Sequence, residues 1–172
     1  MAQELYTRTN QKIFYAGLAL ESWRKAEQAQ SLNALALIQA EREAALFHLY
    51  GALLGLCHEI AGYYRITDST APRAESFLTP AVLQSAPSQE LGELVELAQA
   101  SESWLAQLLS AYALLFKPPQ AGKKAKLDPA MPLITAVSLD EEEKPLTHQD
   151  LEAWRQQLKV LAQRFRETLS EW

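Results

Sequence analysis

Residues 47 to 64, FHLYGALLGLCHEIAGYY, place two histidines, a cysteine and a glutamate within an otherwise apolar run. Imidazoles and carboxylates are the usual nitrogen and oxygen ligands of zinc and iron, and helical bundles hold such metals by projecting them inward. On a helical wheel Glu41, His48 and Glu59 fall nearly on one line beside a stripe of small residues, and His58 projects within that stripe, so these four are the metal-ligand candidates. Their spacing matches neither Glu-x-x-His nor His-Glu-x-x-His. The only other histidine is His148, far along the chain. The competing reading makes His48 and His58 hydrogen-bonded residues of a core or an interface. No cofactor is predicted.

Cys57 is the only cysteine, so no disulfide can form within one chain, which suits a reducing compartment. Nothing cationic stands beside it to activate a thiolate, and it reads as a small core residue. The chain has no glycine-rich phosphate loop after a strand, no Gly-x-Ser-x-Gly elbow and no cysteine pair.

The segment REAALFH, residues 42 to 48, sets an arginine six positions before a histidine. It resembles the Arg-x(4–6)-His element of HEPN-type RNases, which are small dimerising helical bundles that cleave RNA without metal. That resemblance implies Arg42 stabilising a phosphate and His48 acting as acid or base. Glu43 stands where that family favours Asn, Asp or His. The formal charge of −5 also suits RNA poorly, because phosphate binding needs clustered lysine and arginine. Nucleic acid is therefore not an expected partner.

The elements that must carry these side chains are helices. Alanine, leucine, glutamine and glutamate dominate the composition and glycine is sparse. A first helix is expected over about residues 3–29, with Ile13, Ala16, Gly17 and Leu20 on one face. A second spans about 32–65, close enough behind it to form an antiparallel hairpin. Thr79 and Pro80 open a short helix over about 79–86. Ser88 caps a third that runs through Leu91, Leu94, Ala98, Leu105, Leu108, Tyr112 and Leu115 until Pro118 and Pro119.

The last helix shows the clearest stripe: Leu151, Trp154, Leu158, Leu161, Phe165 and Leu169 alternate steps of three and four. Arg155, Lys159, Arg164 and Glu167 are left on its wet side. Thr147 with Asp150 three residues on is a near-variant of the capping box. The expected fold is all-α, a single domain over 1–172 built as a four-helix, mostly antiparallel bundle.

The second helix is the central one, apolar nearly all round. Ala40, Ala44, Gly51, Gly55 and Gly62 cluster within roughly 60° on its wheel. A glycine inside a helix costs about 1 kcal/mol relative to alanine, so a glycine stripe must serve close approach of another backbone. The partner is either the first helix or a second copy of the same helix, with the intrachain seam favoured. The apolar run is shorter than the about 18 residues a membrane span needs, so no membrane role is expected.

Residues 117–145 form an unusually long connection. KPPQAGKKAK has loop composition, whereas PLITAVSL at 132–139 is rich in β-branched residues that must be covered. The expectation is an arm pinned along the bundle or against a second subunit. Charge is also uneven: 88–116 carries four glutamates and no base, and 117–126 four lysines and no acid.

The N-terminal ELYTRTNQKIFYAGLAL together with QAEREAALFHLYGALLGLCHEIAGYYR resembles a family of uncharacterised small helical proteins from pseudomonad-type bacteria. The likeness is closest over about the first 65 residues. It implies a bacterial cytoplasmic protein, assigns no activity, and agrees with an N-terminus lacking a signal pattern. Together these features favour a non-enzymatic interaction or adaptor protein, self-associating as a homodimer and open to an unknown protein partner. The alternatives are an HEPN-like RNase using Arg42 and His48, or a metal-dependent bundle enzyme.

Overall fold

The computed structural model describes residues 2–118 and 144–170. Within them the chain is helical: α1 Ala2–Ala29, α2 Ala34–Tyr63, α3 Pro80–Ser85, α4 Gln89–Gln99, α5 Trp104–Leu114 and α6 His148–Ser170, with a 3₁₀ turn at Ala74–Ser76. Residues 119–143, which hold nearly all of the expected arm and PLITAVSL, lie outside the described residues.

Local chemistry sets several of the helix ends. Thr79 and Ser88 side chains accept from the backbone N–H groups of Val82 and Leu91, each satisfying one first-turn donor. At the start of α6 the capping is reciprocal. Thr147 N–H donates to Asp150 Oδ2 at 2.9 Å, and Asp150 N–H donates back to Thr147 Oγ1 at 3.2 Å. At the end of α2, Arg65 takes a left-handed φ of 53° and Ile66 N–H reaches back to the Ala61 carbonyl at 2.9 Å. That is the Schellman closure, here made without glycine.

The third helix expected from sequence is two helices. Ser103 ends the first and begins the second: its hydroxyl donates to the Leu97 carbonyl and accepts from Ala106 N–H at 3.0 Å. A serine that can satisfy donors of a new first turn competes with continued helix, and here the new turn wins.

The α1–α2 hairpin is the most extensive contact in the structure. Its direction follows from which residues meet: Leu5 with Gly62, Thr9 with Gly55, Lys12 with Gly51 and Ser22 with Glu41, an antiparallel order. α6 runs antiparallel to α1, since Trp23 meets His148 and Asn10 meets Arg166. Tyr64 bonds Glu90 of α4, and Tyr50 stacks on Tyr112 of α5, so α4 and α5 descend along α2.

α2 lies at the centre. Leu46, Leu49, Leu53, Leu56 and Ile60 are all essentially buried, as are Trp23 of α1 and the whole expected stripe of α6. α2 is long and apolar enough by length and composition to cross a membrane, but 67% of its most apolar stretch is buried within the bundle. That pattern is what a core helix shows.

Candidate functional site

The glycine stripe of α2 faces α1. A Cβ on Gly55 would lie 2.6 Å from Thr9 Oγ1 and 3.3 Å from Thr9 Cα, so this position brings the two helices within backbone reach. A Cβ on Gly51 would first meet the flexible Lys12 side chain, nearest atom 3.1 Å, and one on Gly62 would touch Leu5 Cδ1 at 3.5 Å. Ala44 packs against the core, while Ala40 is exposed. Gly17 of α1 faces α6, where the Arg155 guanidinium fills the space its Cβ would occupy.

The four metal-ligand candidates lie in separate settings. Glu41 accepts a hydrogen bond from Ser22 at 3.1 Å. His58 Nε2 donates to the Ala71 carbonyl at 2.8 Å, and its ring meets Phe77 edge-on. Glu59, with its side chain 1% exposed, is held by both Nε and Nη2 of Arg166 at 2.8 Å. His58 and Glu59 do border one hollow of about 460 Å³ between the start of α1 and the end of α2. Among the described residues, no three histidine, cysteine or carboxylate side chains are grouped so as to hold a metal ion.

Arg42 and His48 also have separate neighbours. The Arg42 guanidinium lies over the Trp23 ring at 5.1 Å and donates from Nη1 to Gln39, leaving its buried Nε without a partner among the described residues. His48 sits edge-on to Tyr15 and to Phe47, both at 5.4 Å between centroids, and its buried Nδ1 has no hydrogen-bond partner among the described residues. Partial burial, with Lys12 nearby, pushes the His48 imidazole below its ordinary pKa and so favours the neutral ring. Cys57 is fully buried, and burial pushes its thiol up to about 12, the opposite of an activated nucleophile.

His48 belongs to a row that sequence reading did not single out. Phe14 meets Tyr15 at 6.3 Å, Tyr15 meets His48, and His48 meets Phe47, over which Lys12 Nζ sits at 4.8 Å. Leu18 stands one turn from Phe14 and Tyr15. Phe14, Leu18 and Phe47 are 61%, 53% and 50% exposed. The row crosses the outer face of the hairpin, so it becomes visible only once the two helices are placed side by side. In each sequence alone, its members pass for ordinary apolar positions.

A second cluster lies where α1 meets α6. Arg155, Lys159, Gln163 and Arg166 follow at steps of four, four and three, which puts them along one side of α6. A model of a family of unknown function (DUF6586) matches residues 1–172, the entire chain. The chain belongs to this family. DUF6586 membership agrees with the uncharacterised helical family that the N-terminal segments resemble, and it assigns no reaction. No curated protein matches the chain, and no solved structure does.

Proposed function

We propose that this DUF6586 protein is a non-enzymatic interaction protein that self-associates through the outer face of its α1–α2 hairpin. The observation that carries this reading is the aromatic row of Phe14, Tyr15, His48 and Phe47, continued by Leu18 and left half-exposed. Contiguous exposed apolar surface is uncommon on isolated domains and marks interaction sites, where aromatic side chains dominate the energy.

The face suits a second copy of the same chain because its apolar row can lie on itself across a two-fold axis. Arg8 and Lys12 lie toward one end of the row, at the level of Gly55 and Gly51. Glu41 and Glu43 lie toward the other, at the level of Ser22, with Arg42 between them and Arg24 and Lys25 paired to Glu21 close by. A two-fold axis near Leu18 sets the apolar row of each copy on that of the other and brings Arg8 and Lys12 of one toward Glu41 and Glu43 of the other, the self-complementarity that a closed dimer requires. Arg42 on Trp23 and His48 within the row then serve packing rather than RNA cleavage.

Leu18→Cys tests the arrangement, since the native Cys57 is buried and unreactive. Mild oxidation should link two copies of this variant readily, while Val160→Cys, equally exposed but on α6, should stay unlinked. Equal cross-linking at the two positions contradicts the proposed face.

A further inference from the structure

The cleft between α1 and α6 has a volume of about 420 Å³, within the range of small-molecule sites. Three cations converge on it from α6: Arg155, Lys159 and Arg166. Asn10 of α1 and Gln163 of α6 add amide groups, and Ile13, Phe14 and Ala162 supply an apolar wall.

The three cations are not equally committed. Arg166 is spent on Glu59 and on Asn10 Oδ1, the latter at 2.9 Å, which leaves only two of its five N–H groups open. Lys159 is exposed and has no ion pair among the described residues. Arg155 is the informative one. Its guanidinium is seated on Gly17, where an added Cβ would fall 2.9 Å from Nη2 and 3.0 Å from Cζ. Its buried Nε lies 3.3 Å from Glu152 Oε2, inside ion-pair distance but without the alignment of a hydrogen bond. A helix-interior glycine thus opens the space in which an arginine is held against α1, its end groups without a strong acceptor among the described residues.

Counting Glu59 and Glu152 against the three bases leaves one net positive charge around the cleft. Water-facing bases usually form pairs or spread apart, whereas these line one hollow beside an apolar wall. We infer that the α1–α6 cleft binds a small organic oxyanion, a carboxylate or phosphate group held by Arg155 and Lys159 and carried on an apolar moiety that rests on Ile13, Phe14 and Ala162. Guanidinium and ammonium donors are the groups that recognise such oxygens. This cleft shares Phe14 with the row between α1 and α2 but draws its charged groups from α6, and its test reads binding rather than association.

Isothermal titration calorimetry with benzoate, phenyl phosphate and inorganic phosphate, at constant ionic strength set by sodium chloride, tests the assignment. Saturable one-site binding of either aromatic probe is expected, tighter than inorganic phosphate, and the better of the two identifies the head group. Lys159→Gln and Arg155→Gln should each weaken that binding by about tenfold, the worth of a charged hydrogen bond. Gly17→Ala separates recognition from folding, because it displaces the guanidinium while favouring helix, so affinity should fall without a lower melting temperature. Absence of saturable heat with all three probes overturns the inference. So does binding that survives both Lys159→Gln and Arg155→Gln unchanged.

Discussion

Arg166 closes on Glu59 from across the bundle, Nε to Oε2 and Nη2 to Oε1, each at 2.8 Å. The two residues are 107 positions apart, and the contact fastens the end of α6 to the end of α2. A bidentate guanidinium–carboxylate pair is among the stronger polar contacts available to a protein. Asn10 and the ring of Tyr6, 4.7 Å from the guanidinium, bring α1 into the same joint.

Removing one partner should therefore cost more than removing both. Glu59→Leu alone strands a guanidinium against a dry surface and should destabilise by about 3 kcal/mol, the low end for buried pairs because Arg166 keeps some exposure. The double variant Glu59→Leu with Arg166→Met should regain a large part of that loss. Urea titrations of the three proteins decide it, and additive losses in the double variant would show that the two side chains are not coupled.

The glycines of α2 predict a graded series. Gly55→Ala drives a Cβ against Thr9 side chain and backbone and should destabilise by roughly 1–3 kcal/mol, as overpacking does. Gly62→Ala meets only Leu5 at contact distance and should be neutral or stabilising by up to about 1 kcal/mol through helix propensity. Gly51→Ala should fall between, because Lys12 can move aside. Thermal melts that rank the three in another order would contradict the close approach at Thr9.

His48 should make stability pH-dependent. Its folded pKa lies below the ordinary 6.5, from burial first and Lys12 second, among neighbours Tyr15 and Phe47 that carry no charge near neutrality. The unfolded chain then binds more protons between the folded value and 6.5, so stability rises with pH through that window. It is fully present above 6.5 and is lost as pH falls through the folded value. Denaturant midpoints measured in dilute protein on both sides of the window should show a smaller pH effect in His48→Gln than in wild type. Identical slopes would remove His48 as the cause.

Much of the fold could be read directly from the chain. Periodicity located α1, α2 and α6, and the Thr147–Asp150 box fixed where α6 begins, because caps and stripes are local signals. The break at Ser103 was missed although its sequence cue was present: a serine before an apolar run is a cap as readily as a passenger, and hydrophobic spacing continues across it. The candidate surfaces were much less legible. Gly17 is chosen for Arg155 and Glu59 for Arg166, and such pairings depend on how far α6 is rotated against the hairpin. Helical spacing fixes which residues share one face, but not what that face meets.

Sedimentation equilibrium of wild type and Phe47→Glu, followed across micromolar concentrations, reads self-association through the hairpin face itself. Phe47 is half-exposed, so the substitution should leave the helix content intact while burying a charge in the proposed interface. Wild type should approach twice the chain mass as concentration rises, and Phe47→Glu should weaken that association at least tenfold, or about 1.4 kcal/mol. A wild-type protein that remains monomeric throughout, or a Phe47→Glu protein that dimerises as tightly as wild type, would contradict self-association through this face.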